Sequence, residues 1–279
     1  MPKLLAKAER PWALRPLPPF PTVANRVLAL VADADVDAAE VGAMIKIDPT
    51  FTAEILRMAN SALFGFRREI ATIGHAVAVL GLNRVKTMAT YIALNAMVRP
   101  VLKVAELRRI WVHSLVTALL TEELARASNS SYDIAYTSGL LHNLGSLGLM
   151  ADYPEEYKRM LEVSGECGFD LILTERDLFE IDHCAAGAYL AEEWNFPDTI
   201  MEAIATHHFP AGKGSCLPNL VRVAWRAADA LGFAAFPPEK TVGFEELVAL
   251  VPLTRNSWLA DGLDSVKARV EARLEELPK

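Results

Sequence analysis

The apolar residues of this chain recur at helical spacing along most of its length, and that periodicity leaves room for little except helices. Val23, Val27, Leu30 and Val31 follow an i, i+4, i+7, i+8 pattern. Asp37-Ala-Ala-Glu40 has the form of a capping box, an acceptor at the N-cap and a Glu three residues on. Asp48-Pro49 opens a further helix, because proline is tolerated at the first helical position, and Phe51, Ile55 and Met58 give it an apolar face. The same spacing predicts helices over 72–81, 83–98, 106–127, 132–150, 155–167, 171–179, 183–194, 198–206 and 219–232. A last one is expected over 262–277, with Val266, Val270 and Leu274 on one side. Strand-type alternation is nearly absent, and Val and Ile fall inside helical patterns. The expected class is all-α.

Prolines at 11, 16, 18, 19 and 21 precede the first helical pattern, so residues 1–14 read as an extended lead-in. Arg99-Pro100 marks a soft boundary between a first helical lobe, 15–100, and a second, 105–232. Residues 209–218, FPAGKGSCLP, form a loop by composition. After Gly232 the pattern weakens, and 233–279 read as a C-terminal helical extension. With 279 residues, 52% of them hydrophobic, the chain can bury a sizeable core in one large domain or two small ones.

Several function classes recede at this level. No tract of 18 residues is free of polar groups, so no transmembrane span is expected, and the N-terminus lacks the apolar core and cleavage site of a signal peptide. Cys167, Cys184 and Cys216 are scattered and odd in number, which suits reduced thiols in a cytoplasm. A net charge of −7 speaks against nucleic acid, since phosphate backbones reward clustered cations. The short clusters Arg67-Arg68, Arg84 to Lys86 and Arg108-Arg109 read as solvated helix faces.

The polar residues set into apolar helices are more informative. His113 shares a stripe with Ile110, Thr117, Leu120 and Leu124 and faces inward. His142 and Asn143 lie in GLLHNLGSLGLM, and the Ser138, Gly139, Gly145 and Ser146 that share the His142 face let another helix approach closely. His183 follows the N-cap candidate Asp182, and His207-His208 closes the next helix. Asp229 lies among Leu220, Val223, Ala227 and Leu231. Each has an ordinary structural explanation: a core histidine, a tight packing face, a cap, an imidazolium at a helix C-terminus, and an ion pair with Arg226. His75, on its own helix, reads as structural. Taken in order, imidazoles and a carboxylate from several packed helices suit a mono- or dinuclear metal site in a bundle.

That order resembles the HD superfamily of metal-dependent phosphohydrolases. The run IKIDPTFTAEILRMANSALFGFRREIATIGHAVAVLGLNRVKTMA, 45–89, narrows the resemblance to the HDOD family, the HD-related output domain of bacterial signalling. So do LPPFPTVANRVL at 17–28, LRRIWVHSL at 107–115 and IDHCAAGAYLAEEWNFPDTIMEAIATHH at 181–208. The resemblance covers residues 15–232 and implies a two-lobed all-α fold. It also implies a regulatory role, exercised on a signalling protein or a small ligand. Carried over by position, His113 resembles the first metal-binding His and His142 the His of the His-Asp pair. His183 and His207 or His208 resemble the additional histidines of dinuclear members, and Asp229 the final Asp.

Two positions depart from the pattern. Asn143 stands where the Asp of the pair should be, and Ser146 where active cyclic-dinucleotide phosphodiesterases have Lys. An Asp bridges two cations with its charge and two oxygens, whereas an amide offers one neutral oxygen. Hydrolysis needs a metal-bound water in fixed geometry, so both departures argue against catalysis. A single Fe, Ni or Zn ion remains compatible with the imidazoles and Asp229. The resemblance therefore implies a non-catalytic regulatory domain. The alternative is a phosphohydrolase or cyclic-dinucleotide phosphodiesterase with an unusual ligand set. The apolar face of the 262–277 helix can bury against the domain or against a second copy in a homo-oligomer.

Overall fold

The computed structural model describes residues 10–17, 24, 26–27, 37–61, 70–130, 134–236, 242–253 and 257–276. All regular structure among them is helical. Ala24, Arg26 and Val27 are helical, as the first pattern requires; the rest of that expected helix lies outside the described residues.

The first lobe contains α1 (Ala38–Ile45), α2 (Pro49–Ala59), α3 (Ile73–Leu80) and α4 (Leu82–Val98). Its starts follow from local chemistry. The Asp48 carboxylate accepts from the amides of Thr50 and Phe51 at 2.8 and 3.1 Å, satisfying groups that a helix leaves unpaired at its N-terminus. Asp37 accepts from Ala39 at 3.0 Å and caps α1 as expected. α1 packs on α3, and α2 on α3 and α4. The long α4 then reaches across to the second lobe.

That lobe is organised around α5 (Ala105–Ala127), which is buried on most sides. Around it stand α6 (Ala135–Leu141), α7 (Leu144–Asp152), α8 (Pro154–Cys167), α9 (Leu171–Phe179), α10 (His183–Glu193), α11 (Asp198–Thr206) and α12 (Leu217–Ala230). α6 and α12 flank α5, α10 packs on α7, and α11 bridges α10 and α12. α4 contacts α6 and α7, so the lobes share one continuous core.

Three findings revise the sequence-based expectations. The helix expected over 132–150 is two helices, because Asn143 (φ −93°, ψ 21°) leaves helical geometry and becomes the N-cap of α7. The break lets the chain pack on two different partners. Gly139 lies where a Cβ would come within 2.7 Å of the Ala118 backbone on α5. A Cβ on Gly145 would overlap the His183 carbonyl of α10 and lie 2.7 Å from the Gly187 amide. The small residues around His142 thus admit close helix approach, as their spacing suggests. Second, the lead-in is not simply extended. Trp12–Leu14 form a 3-10 turn on α7, with Ala13 and Leu14 fully buried and Trp12 edge-on to Tyr153. Third, the weakly patterned C-terminal region carries α13 (Phe244–Val248) and a 3-10 turn at Trp258–Ala260 before α14 (Leu263–Glu275). α13 packs on α12, and α14 on α5 with Val266 and Val270 fully buried. Its apolar face is therefore spent inside the chain.

Candidate metal centre

Five imidazoles from four points of the chain meet in one row inside the second lobe. α5 supplies His113, and the α6–α7 break supplies His142. The first residue of α10 is His183, and the end of α11 carries His207 and His208. Ring centroids are 5.4 Å apart for His113–His142, 5.0 Å for His142–His207, 5.2 Å for His183–His207, 4.8 Å for His183–His208 and 4.5 Å for His207–His208. His113, His142, His183 and His207 are fully buried. The five histidines read as candidate ligands thus lie together. His75 is exposed on α3 and stands apart.

A carboxylate closes each end of the row. Asp229 Oδ1 lies 3.1 Å from His113 Nε2, so the carboxylate orients this ring and is not committed to Arg226. At the other end, Glu175 Oε2 accepts from the His183 backbone amide at 2.8 Å and lies 2.6 Å from His183 Nδ1. Its other oxygen accepts from the Tyr157 hydroxyl at 2.5 Å. Glu175 and Tyr157 were not legible as site residues. Glu175 sits in the charged run TERD of α9, which reads as a solvated face, yet its side chain is fully buried.

Hydrogen bonds fix the ring orientations. His142 Nδ1 donates to the Gly139 carbonyl at 2.7 Å, and His207 Nδ1 to the Ile204 carbonyl at 2.7 Å. Each Nε2 is left as a lone pair facing the interior. His207 and His208 point Nε2 at His183 Nε2, at 3.3 and 2.9 Å. Four nitrogens held about 2.0–2.1 Å from one tetrahedral cation lie roughly 3.3 Å apart, so this trio has the spacing of ligands to a common ion. Cys184, another residue the sequence did not flag, completes a group of four whose ligand atoms lie within 4.8 Å of one another. Its Sγ is 3.9 Å from His207 Nδ1, on the ring edge already engaged by Ile204.

The electrostatics favour neutral rings in most of the row. Burial, then the neighbouring imidazoles, hold His142 and His207 well below the usual imidazole range. His208 is pushed down to about 2 by burial, then by His183 and Arg226. The end of α11 therefore favours neutral rings over an imidazolium. His183 moves upward: burial is the largest influence and opposes its charge, but Glu175 and Cys184 together outweigh it. Without an ion, a proton on His183 Nε2 can bridge to the lone pairs of His207 and His208.

The opposite end is poorly satisfied. Both amide atoms of Asn143 are buried without a hydrogen-bond partner, as are His142 Nε2 and His113 Nδ1. Trp225 on α12 covers the row, 4.6 Å from the His208 ring and edge-on to His207 at 5.8 Å. Arg226 lies beside Trp225, its guanidinium 5.4 Å from that ring.

A family model described as HDOD domain matches residues 17–210. An uncharacterized protein of Treponema pallidum (strain Nichols) is 26% identical over 194 residues, 69% of this chain and 37% of that protein. The chain therefore aligns with well under half of that relative. A Shewanella amazonensis structure that carries a phosphohydrolase name aligns over 96% of both chains, at TM-score 0.66 and 25% identity. An HDOD domain protein of unknown function from Geobacter sulfurreducens covers 94% of this chain and 97% of its own, at TM-score 0.71 and 21% identity.

Proposed function

The chain belongs to the HDOD family, and from that premise we propose that it is a signal-transduction output domain that acts by binding a protein partner or a small ligand and does not hydrolyse phosphodiesters. The observation that carries this reading is Asn143. Its amide directly follows His142 at the α6–α7 break, fully buried, with neither polar atom engaged. A carboxylate there would bridge two cations, but a neutral amide offers one oxygen and two donors that repel a metal. Ser146, one turn further, supplies no positive charge for a phosphate.

The row still suits one divalent cation, Fe, Ni or Zn, held by His183, His207 and His208. Support comes from the convergence of their Nε2 atoms and from Glu175, which fixes the His183 ring as carboxylates do for metal-bound imidazoles. A bound ion would supply Lewis acidity there. This chain's own residues orient the imidazoles, and Trp225 and Phe236 cover them, Phe236 stacked on His183 at 6.0 Å.

The test is hydrolysis of bis(p-nitrophenyl) phosphate and of cyclic dinucleotides by the full chain loaded with Mn, Fe, Ni or Zn. The expected result is no turnover above that of a His142→Ala variant. Turnover that survives repurification and is lost in that variant would instead support the phosphohydrolase reading.

A further inference from the structure

The α8–α9 hairpin carries an exposed apolar patch that the imidazole row does not use. Phe169 and Leu173 are each 57% exposed and Val163 is 38% exposed. Local geometry gathers them. Gly168 ends α8 in the left-handed conformation, and the amides of Gly168 and Phe169 both bond back to the Ser164 carbonyl. This motif folds the residue after the glycine back over the last turn, which brings Phe169 towards Val163. Asp170 then caps α9 through the Leu173 amide at 2.8 Å, setting Leu173 on the first turn beside Phe169. On α9 the buried Glu175 and Phe179 define the inner face, and Leu173 and Asp177 lie on the opposite one.

The charge around the patch has one dominant sign. Glu162, Glu166, Asp170, Asp177 and Glu180 are all exposed along the hairpin. Glu162 pairs with Lys158 at 3.6 Å, while no ion pair engages Glu166, Asp170, Asp177 or Glu180 among the described residues. Arg176 is bound to Asp182 at 2.7 Å, which leaves Arg159 as the cation of this surface outside those pairs. Exposed apolar groups rimmed by charge of one sign mark a docking surface for the complementary charge.

We propose that the α8–α9 hairpin docks a basic amphipathic helix of a protein partner, with apolar residues over Val163, Phe169 and Leu173 and Lys or Arg against Glu166, Asp170 and Asp177. The proposal rests on the partner-binding reading above and names the surface and the chemistry of that partner. It places the partner on the outer face of the helix whose inner face carries Glu175, the residue that holds His183.

The test uses the full chain and two labelled 18-residue peptides, read by fluorescence anisotropy. Both present Leu along one helical face; one carries Lys on its flanks and the other Glu. The Lys peptide is expected to bind and to weaken as salt rises. Phe169→Ser with Leu173→Ser should weaken it about tenfold or more. These side chains are exposed, so the variant folds, and unchanged circular dichroism checks that. Asp177→Lys with Glu166→Lys should shift preference towards the Glu peptide. Equal binding of both peptides, binding unaffected by these substitutions, or a chain that dimerises through this face by light scattering would overturn the proposal. None of these readouts involves turnover, so their failure leaves the non-hydrolytic reading standing.

Discussion

The two ends of the imidazole row are built from the same side chains and arrive at different chemistry. At the α10–α11 end, three Nε2 atoms converge and one ring is gripped by a buried carboxylate with both oxygens engaged. At the α5–α7 end, the carboxylate is drawn off to a single imidazole and the Asn143 amide that follows His142 has no partner. One end has the order expected of a ligand set, and the other has its polar atoms stranded. On the reading proposed above, the difference teaches that buried histidines alone do not make a two-metal site, and that the group following His142 sets whether both ends hold a cation.

The comparison can be broken most forcefully at Asn143. Asn143→Asp puts a carboxylate beside His142, and elemental analysis of the loaded variant should rise from about one ion per chain towards two. A ratio that stays at one would mean that the α5–α7 end is closed for another reason. Next in size is the joint between the halves. Gly145→Ala forces a Cβ into the His183 carbonyl, and the close contact of α7 with α10 should open at a cost of about 3 kcal/mol, read from urea unfolding. Gly74→Ala on α3 meets open space and should be neutral or stabilising by up to about 1 kcal/mol.

The orienting carboxylates allow a direct contrast. Glu175→Gln should weaken cation binding about 10–100-fold by calorimetry, whereas Asp229→Asn should leave it nearly unchanged. Equal losses would make the ends equivalent. Acid acts on several rings at once, measured on metal-free protein. His142, His207 and His208 have lowered folded pKa values, so the unfolded chain takes up more protons once pH falls below about 6.5. Stability should then fall by about 1.4 kcal/mol per pH unit for each such ring. His183 runs the other way: its raised folded pKa contributes stability that is fully present below about 6.5 and is lost as pH rises through the folded value. Maximum stability near pH 6.5 is expected, and denaturant midpoints across pH 4.5–8 check it.

Most of the fold is legible in the sequence, because many of its helices are amphipathic and four of them, α1, α2, α9 and α10, carry Asp at the N-cap. The 171–179 prediction coincides with α9, and α2 begins at Asp48-Pro49 as its chemistry requires. The break at His142-Asn143 is hidden because apolar residues continue through it; the close approaches at Gly139 and Gly145 that accompany it are tertiary. The histidines and Asp229 are legible through their spacing against apolar neighbours and through the family resemblance. Glu175 is not, since a carboxylate within a charged helix looks solvated until α8 and α10 enclose it. Cys184 is hidden because three scattered cysteines read as free thiols, and Trp225 because an aromatic residue on a helix reads as packing.

The central claim is that this chain holds at most one cation, at the α10–α11 end. Metal content after loading and desalting tests it directly, compared among the unmodified chain, His208→Gln and Asp229→Asn. The account predicts about one ion per chain, lost in His208→Gln and kept in Asp229→Asn. Two ions in the unmodified chain, or one ion lost in Asp229→Asn and kept in His208→Gln, would contradict it.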